Sequence, residues 1–520
     1  MYPFSKHEPN LTVEELQRLD ALADSVEIKR LAKMEVLTDS SSMPSDSKIL
    51  STRFVRTWRE KLDSAGQPFW LRRSRLVARE FAWMDAERES LFSPASNAIV
   101  SRLLPVKFLE MLEHGDGMMV SIDVKDAFLT AKQETPTIVK CLLADGETKA
   151  CGLGRVLPGQ RDGSLLWHRD IAALMKSELG MTPHTPCPCI LKSEDNSCFV
   201  LIHVDDILAV GRRDFVMNKL VKCLSSKYEV STQVMEKPGD ELQFLKRRMV
   251  LQHGYRLAIQ THHKHVEQMC KLLGLNKKMQ RKKTPGHADM DQCDNTNELS
   301  PELARNFRTC VGILLYLAAD LPHCQHVVRH LSTYSTQPTV KSLTVLKHLV
   351  SFLACHEEVC ISLKWRGRNH GIFHNYSSAE PGETILEVYT DSDWASDKGT
   401  RRSVSCATMF AGGCLLYSSS RTQKLVSLSS VEAEVYACSS GASDAVMLSR
   451  LIAWMNGSNT TIHLHTDSSG AKGILLRQGV GKVRHLSCRI LWLQDLINSG
   501  QVKLSTVLQT LGRNVSHATG

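Results

Sequence analysis

Two adjacent acids, Asp205 and Asp206, interrupt a segment that is otherwise apolar on both sides, Cys198 to Gly211. Apolar runs flanking so short a polar centre predict a β-hairpin with the carboxylates at its turn, although Asp-Asp is also an ordinary turn pair. A third acid gives the pair a chemical use. Val120 to Leu129 reads as a short strand carrying Asp123, then a turn into a helix. Carboxylates brought together from separate strands can hold two divalent ions about 4 Å apart, one activating an attacking hydroxyl and the other steadying a leaving pyrophosphate. Hard oxygen ligands of this kind suit magnesium. A second set lies further on: Leu386 to Trp394 alternates and ends on acids that include Asp391, Thr461 to Asp467 does the same, and Ser429 to Ala437 opens a helix with Glu432 and Glu434. Two strand-end aspartates and a helix glutamate could converge on another two-metal centre. Each alone is more often a surface acid.

The elements that must position these acids follow from periodicity. Residues 1–45 are polar and slightly acidic and read as a mobile leader with one short helix around Val13–Val36. Strands begin near Ile49, where apolar and basic residues alternate. Val266, Met269, Cys270 and Leu273 recur at helical spacing and predict an amphipathic helix with a basic outer face. Residues 300–355 read as helical and 366–384 as a domain boundary. Strand-like segments follow at 385–391, 404–417 and 461–467, with helices at about 432–455 and 483–498. In the last helix Leu486, Ile490, Leu493 and Ile497 would pack on the sheet, and Gly500 would end it. His463 and His465 alternate with apolar residues and are expected on the exposed face of an edge strand.

Composition bounds the reading. At 520 residues the chain exceeds one core, and 42% hydrophobic with 23% charged residues fits packed, water-facing units. The net charge of +9 says little, but its distribution says more. Arg53 to Arg79 holds eight Lys/Arg against two acids, and Lys246 to Lys283 eleven against one. Concentrated basic stretches are the footprint of a polyanion, or else solvated faces. The 16 cysteines form no CxxC pair, and Cys187 and Cys189 form a lone CxC, so reduced thiols inside a cell are expected. The longest clean apolar run, Val311 to Ala319, is too short to span a bilayer.

The motifs in order resemble the reverse transcriptase and RNase H of copia-type LTR retrotransposon Pol polyproteins. Arg72-Arg73-Ser74-Arg75-Leu-Val-Ala-Arg79 and Phe92-Ser-Pro94 are similar to the family's early segment, and the Asp123 strand to its D-x-K-x-A-F-L. Leu157-Pro-Gly159-Gln-Arg161 with Trp167, the Val-Asp205-Asp206 hairpin, Gln243-Phe-Leu245 and Arg308 to Tyr316 complete the first series. Asp391-Ser-Asp-Trp394, Arg401-Arg402-Ser403, Gln423, Ser429 to Glu434 and Asp467 match the second. The resemblance implies an α/β (α+β) fold: a right-hand polymerase with fingers, a palm on an antiparallel sheet and a thumb, then an RNase H-like domain on a mixed sheet. The implied boundaries are 1–45 leader, 46–235 fingers and palm, 236–290 thumb-like basic segment and linker, 291–375 connection and 383–520 RNase H-like.

The same resemblance implies RNA-directed DNA synthesis, with Asp123, Asp205 and Asp206 holding two Mg2+ (or Mn2+) ions. Arg73, Arg75 and Arg161 would touch the incoming triphosphate, and Gly159 would let the chain approach the template closely. Asp391, Glu434 and Asp467, with Glu432 as a near neighbour, would hold two ions for cleavage of RNA in an RNA–DNA hybrid. The implied partners are an RNA template, a DNA primer, the hybrid and deoxynucleoside triphosphates, with no membrane. The implied location is the cytoplasm, in a virus-like particle, with passage to the nucleus. Departures temper this. His203 stands for the family's Tyr, Lys246 for a Gly, and Leu321-Pro-His-Cys324 for Arg-Pro-Asp-Ile. Asn514-Val-Ser-His517 replaces N-x-A-D, the fourth RNase H acid, and imidazole is a poor magnesium ligand. The alternative reading is a decayed remnant that only binds nucleic acid.

Overall fold

A capping box starts the first helix. Thr12 Oγ accepts the Glu15 amide at 3.3 Å, and the Glu15 carboxylate accepts the Thr12 amide at 3.0 Å. In the computed structural model the chain is described apart from residues 1, 4–7, 85–87, 90, 92, 95–98, 143–147, 262, 276–280, 289, 291–292, 294–296, 357–360, 377–378, 398, 480–486 and 508–520. The helix, α1 (Val13–Lys33), lies within the helix expected around Val13–Val36 and packs against the first sheet. Its Leu31 is fully buried beside Leu50 and Leu76. Asp24 holds Arg56 at 2.7 Å and Ser74 at 2.6 Å, and Asp20 holds Arg72 at 2.6 Å.

Those partners lie in the first sheet, ordered β1-β4-β3-β6-β7-β2. Its strands are β1 (Tyr2–Pro3), β2 (Leu37–Asp39), β3 (Lys48–Leu62), β4 (Pro68–Arg79), β6 (Thr137–Leu142) and β7 (Thr148–Leu153). Alternation sorts the arginines of the long β3–β4 hairpin by face. Arg56, Arg72 and Ser74 turn toward α1. Arg53, Arg59, Arg73, Arg75 and Arg79 occupy the opposite face, as the pairings Arg53↔Val77, Val55↔Arg75 and Thr57↔Arg73 require.

The second sheet, β12-β5-β11-β10-β9-β8, carries the first three acids. It is built from β5 (Met118–Val124), β8 (Thr182–His184), β9 (Cys187–Lys192), β10 (Cys198–His203), β11 (Asp206–Gly211) and β12 (Val230–Met235). Both faces are covered, which is why β10 and β11 read as continuous apolar runs. α3 (Gly163–Leu179) and the helical stretch ending in α4 (Lys222–Lys227) cover one face, through Trp167, Ile171, Phe215 and Leu220. α2 (Leu103–Glu113) covers the other.

The third sheet joins what the sequence reading divides at residue 290. β13 (Glu241–Phe244), β14 (Arg247–Gln252) and β15 (Arg256–Gln260) are completed by the much later β16 (Ile361–Lys364). α5 (Lys264–Leu272) packs with α6 (Pro301–Leu317), α7 (Gln325–Thr333) and α8 (Val340–Cys355) in one helical core. Not all the basic charge here is free. Arg247 is held by Asp320 at 2.7 Å and Arg248 by Glu241 at 2.9 Å. The β13–β14 turn places Leu245 and Lys246 at φ of 49° and 62°, so Lys246 takes a conformation that suits the glycine it replaces.

The fourth sheet is mixed, ordered β19-β18-β17-β20-β21. β17 (Thr384–Asp393), β18 (Val404–Ala411) and β19 (Cys414–Thr422) are antiparallel, so the expected 404–417 strand is a hairpin. α9 (Ser430–Asn456) crosses to β20 (Thr460–Thr466), which runs parallel to β17 and to β21 (Val502–Thr506). α10 (Ser469–Leu476) and α11 (Ser487–Asn498) lie between, with Ile490 and Leu493 fully buried and Gly500 at φ 76°. Leu486 lies outside the described residues.

His463 and His465 correct an expectation. β20 is flanked on both sides, and the two histidines are 9% and 3% exposed. They lie against a polar layer from the 366–384 segment and β17. Tyr376 Oη is 3.2 Å from His465 Nε2 and donates to Glu387 at 2.8 Å, and Tyr389 stacks on His465. Burial drives their pKa values down, His463 to about 4 and His465 to about 3, with Lys503 and His374 adding to the effect. A His whose folded pKa lies below its unfolded value contributes stability above the unfolded pKa and loses it as pH falls. Stability is therefore expected to drop by about 1–2 kcal/mol per histidine between pH 7 and pH 5. Urea midpoints of wild type and His465→Gln across that window check it. A variant with the same slope as wild type would remove His465 as a source of the dependence.

The second and fourth sheets are not loosely tethered. One apolar core runs from Met119, Phe199 and Leu201 through α2 to Leu386, Leu416 and Ile452. Polar ties line it: Lys107 to Asn456 at 2.8 Å, Lys192 to the Trp454 carbonyl at 2.7 Å, and buried Arg102 to the Leu416 carbonyl at 3.2 Å. Among the described residues no helix is long and apolar enough to cross a membrane.

Candidate active sites

The first site forms where three strands end together. β5 and β11 are antiparallel with Asp123 opposite Asp206, and Asp205 lies in the β10–β11 turn. The Val124 amide donates to the Asp205 carbonyl at 3.1 Å, which ties the turn to β5. Val204 in that turn has φ 59°, a conformation that costs a β-branched residue energy. The turn is held by buried Trp167, whose indole N–H donates to the Val204 carbonyl at 2.6 Å. The sequence offered Trp167 only as a motif match. Its role in pinning the acidic turn needs the fold.

Burial and then their neighbours' charge raise carboxylate pKa values at this site, although among the described residues only Asp391, Glu434 and Asp467, and not this set, bring three acidic oxygens within 4.8 Å of one another. Desolvation, then Asp205 and Asp123, push Asp206 up to about 6. Desolvation and then Asp205 raise Asp123 as well. Carboxylates that hinder one another's ionisation are relieved by a divalent ion, and this all-oxygen set suits Mg2+. Trp167→Phe removes the donor to Val204 and is expected to cost about 1–3 kcal/mol, read as a lower urea midpoint. An unchanged midpoint would mean that the bond contributes nothing.

The expected nucleotide-binding residues divide. Arg73 and Arg75 share the face of the β3–β4 hairpin turned away from α1. Burial and then Arg75 pull the Arg73 pKa down. The Arg161 amide donates to Glu80 at 2.9 Å, and Glu80 also binds Lys48 and Arg88. Within the fold, Gly159 is required by its neighbour. At φ 97°, a Cβ would collide with the Ala78 carbonyl, and the Ala78 amide donates to Pro158 at 2.8 Å. The glycine seats this loop on β4. Phe92 lies outside the described residues.

The second site gathers Asp391 near the end of β17, Asp467 just past β20 and Glu434 in the first turns of α9. Each offers one oxygen, and these lie within 4.8 Å of one another. Glu434 Oε1 accepts the Ser392 amide at 3.0 Å and hydroxyl at 2.7 Å. Its Oε2 is buried without a partner, the orphan expected where a cation belongs. Desolvation pushes Glu434 up to about 7, with Asp391 and Asp467 adding to it.

Glu432 stays out of this set. It accepts the Leu428 amide at 2.9 Å at the start of α9, whose N-cap is Ser429. Gln423 is structural too: its amide bonds Ser405 and the Ala433 carbonyl, both at 2.9 Å, fixing the helix start to β18. Asn514 and His517 lie outside the described residues.

Residues 37–280 match a family model described as reverse transcriptase (RNA-dependent DNA polymerase). The chain is 23% identical over 462 residues to a retrovirus-related Pol polyprotein from transposon TNT 1-94 of Nicotiana tabacum, covering 86% of this chain and 33% of the relative. It is 21% identical over 474 residues to that from transposon RE1 of Arabidopsis thaliana, covering 89% and 30%. The chain thus spans about a third of the length of these curated relatives. Among solved structures, a foamy viral protease-reverse transcriptase in complex with double-stranded DNA has a TM-score of 0.50 at 12% identity, covering 97% of this chain and 84% of that one. At that identity the likeness speaks for the fold alone.

Proposed function

Because the chain belongs to the copia-type retrotransposon Pol polyproteins and carries their reverse transcriptase domain over residues 37–280, we propose that it copies RNA into DNA by metal-assisted nucleotidyl transfer at Asp123, Asp205 and Asp206. The observation that carries this reading is the cross-strand apposition of Asp123 and Asp206 beside Asp205, with the Asp206 carboxyl pushed up to about 6. Two Mg2+ ions, when bound, would lower the charge on the attacking and leaving oxygens. The protein's own part is to hold the three carboxylates in one place through the Val124–Asp205 and Trp167–Val204 bonds. Arg73 and Arg75 would bind the triphosphate of the incoming nucleotide.

In this reading the first sheet serves as fingers, the second as palm, and the third with its helices as thumb and connection. Its exposed basic residues would grip the duplex backbone of an RNA template and DNA primer. The fourth sheet would be an RNase H-like domain, supported by the Asp391, Glu434 and Asp467 cluster with its orphaned Glu434 oxygen. Cleavage of the RNA strand of a hybrid is the activity we assign to it.

A second reading, a remnant that binds nucleic acid without catalysis, draws on His517 at the position of the family's fourth acid. Extension of a labelled DNA primer on an RNA template separates the two. Products whose length stops where an omitted nucleotide is first required establish template-directed synthesis. Salt-sensitive duplex binding with no extension under any divalent ion leaves only the remnant.

A further inference from the structure

Just past the end of β4 the chain turns two aromatic rings outward. Trp83 is 78% exposed and Phe81 43%, and their rings stack with centroids 6.0 Å apart and planes 11° from parallel. Tryptophan is highly buried on average, so a ring this exposed beside a second one has a use other than packing. The pair is firmly built. A 3-10 turn over Ala82–Met84 follows Phe81, and the Met84 amide donates to the Phe81 carbonyl at 3.0 Å. Glu80, one residue earlier, has a side chain only 2% exposed and holds Lys48, Arg88 at 2.8 Å and the Arg161 amide at 2.9 Å. Arg88 also binds Asp162, the N-cap of α3, and α3 carries the Trp167 that pins the Val204 turn. The two rings are thereby tied to the scaffold of the first site.

The sheet face that leads to these rings carries one sign of charge. On the side of the β3–β4 hairpin turned away from α1, alternation places Arg53, Arg59, Lys61, Arg73, Arg75 and Arg79 and no acid. All but Arg73 are exposed. Among the described residues, the hairpin's salt bridges are confined to Arg56 and Arg72 on the other face and Lys48 at its start. Arg79 continues the basic row to the rings, its guanidinium 5.8 Å from the Phe81 centroid. A strand of nucleic acid satisfies both halves of this surface, its phosphates on the cations and a base on a ring. A paired base has no free face to offer, so the strand is unpaired. Successive bases lie about 3.4 Å apart, so one held between two rings needs about 7 Å. At 6.0 Å the rings admit none, which leaves the outer face of Trp83.

We propose that Trp83, backed by Phe81, is a stacking platform for a base of single-stranded nucleic acid whose phosphates run along the basic face of the β3–β4 hairpin. Resting on the polymerase reading for its identity, the strand is the unpaired template next to the duplex. Stacking is tolerant of sequence because every base has a π-face. The site therefore selects unpaired over paired nucleic acid and not one base over another.

The test measures Kd of the full chain, without divalent ion, for three duplexes of equal paired length: blunt, with a template overhang of about six nucleotides, and with the same overhang made abasic. Wild type is expected to bind the ordinary overhang at least about tenfold more tightly than the blunt duplex, and the abasic overhang, which keeps its phosphates, about tenfold more weakly than the ordinary one. Trp83→Ala on the ordinary overhang should match wild type on the abasic one, with blunt-duplex binding within about twofold. Trp83→Phe should keep the preference within about threefold. Because the abasic arm uses wild type, a variant that fails to fold does not hide the answer. Equal affinity of wild type for ordinary and abasic overhangs, or an undiminished preference in Trp83→Ala, overturns the proposal. Overhang affinity unchanged in Trp83→Ala with self-association weakened instead gives the rings to a second copy of the chain and overturns it too. Wild type that shows the full pattern but extends no primer under Mg2+ refutes the polymerase reading and leaves the platform standing. Wild type that extends primers without preferring an overhang refutes the platform alone, and wild type that neither binds nor extends refutes both.

Discussion

Replacing Asp206 by Asn is expected to lower nucleotide incorporation by at least about 10^3-fold and to leave the folded protein more stable when no metal is present. The two effects share one cause. Asp206 stands opposite Asp123 and next to Asp205, and its carboxyl is pushed up to about 6. Its folded pKa exceeds its unfolded value, so the stability it contributes is present in acid and lost as pH rises through about 6. At pH 8 without metal, the ionised carboxylate opposes folding. The amide removes that opposition, and we expect a gain of about 1 kcal/mol after allowing for solvent screening. Wild type recovers the difference on adding Mg2+, and Asp206→Asn recovers little. Thermal melts at pH 8 with and without Mg2+, beside incorporation assays, check both halves. A variant that is less stable in the absence of metal would mean that Asp206 is a structural residue.

Glu434→Gln carries the second large effect. It is expected to reduce cleavage of an RNA–DNA hybrid by at least about 10^3-fold while primer extension stays within about twofold. The Gln carbonyl can still accept from Ser392, so the start of α9 should hold. What is lost is the negative charge at buried Oε2, the oxygen without a partner. Because Glu434 is pushed up to about 7, cation binding there must displace a proton below that pH. The Mg2+ concentration for half-maximal cleavage should then rise about tenfold per pH unit below 7. Cleavage that persists in Glu434→Gln would remove this cluster from catalysis. Cleavage absent in wild type as well would assign the loss to the position of His517.

The acids of both sites were legible in the sequence because their signals are local. Apolar runs around Asp205-Asp206 and alternation up to Asp391 and Asp467 fix which residues reach a strand end. Positions that depend on a distant partner were not legible. The acids of α1 look solvated until Arg56 and Arg72 are placed beneath them, and nothing near Trp167 in sequence names the Val204 carbonyl. His463 and His465 were misread for a related reason. A period of two shows which residues share a face, but not whether a later strand and a loop cover it. Gly159 matched its motif, yet the neighbour that requires a glycine is the Ala78 backbone. Likewise β16 could not be joined to β15 without knowing that the helices between them fold back.

The measurement that bears most directly on the central claim is Mg2+-dependent incorporation on a primed RNA template by wild type beside an Asp205→Asn/Asp206→Asn variant, with duplex binding measured for both. Incorporation by wild type, none by the variant, and equal salt-sensitive binding are expected. Equal incorporation by the two proteins, or none by a wild type that binds the duplex normally, would contradict it.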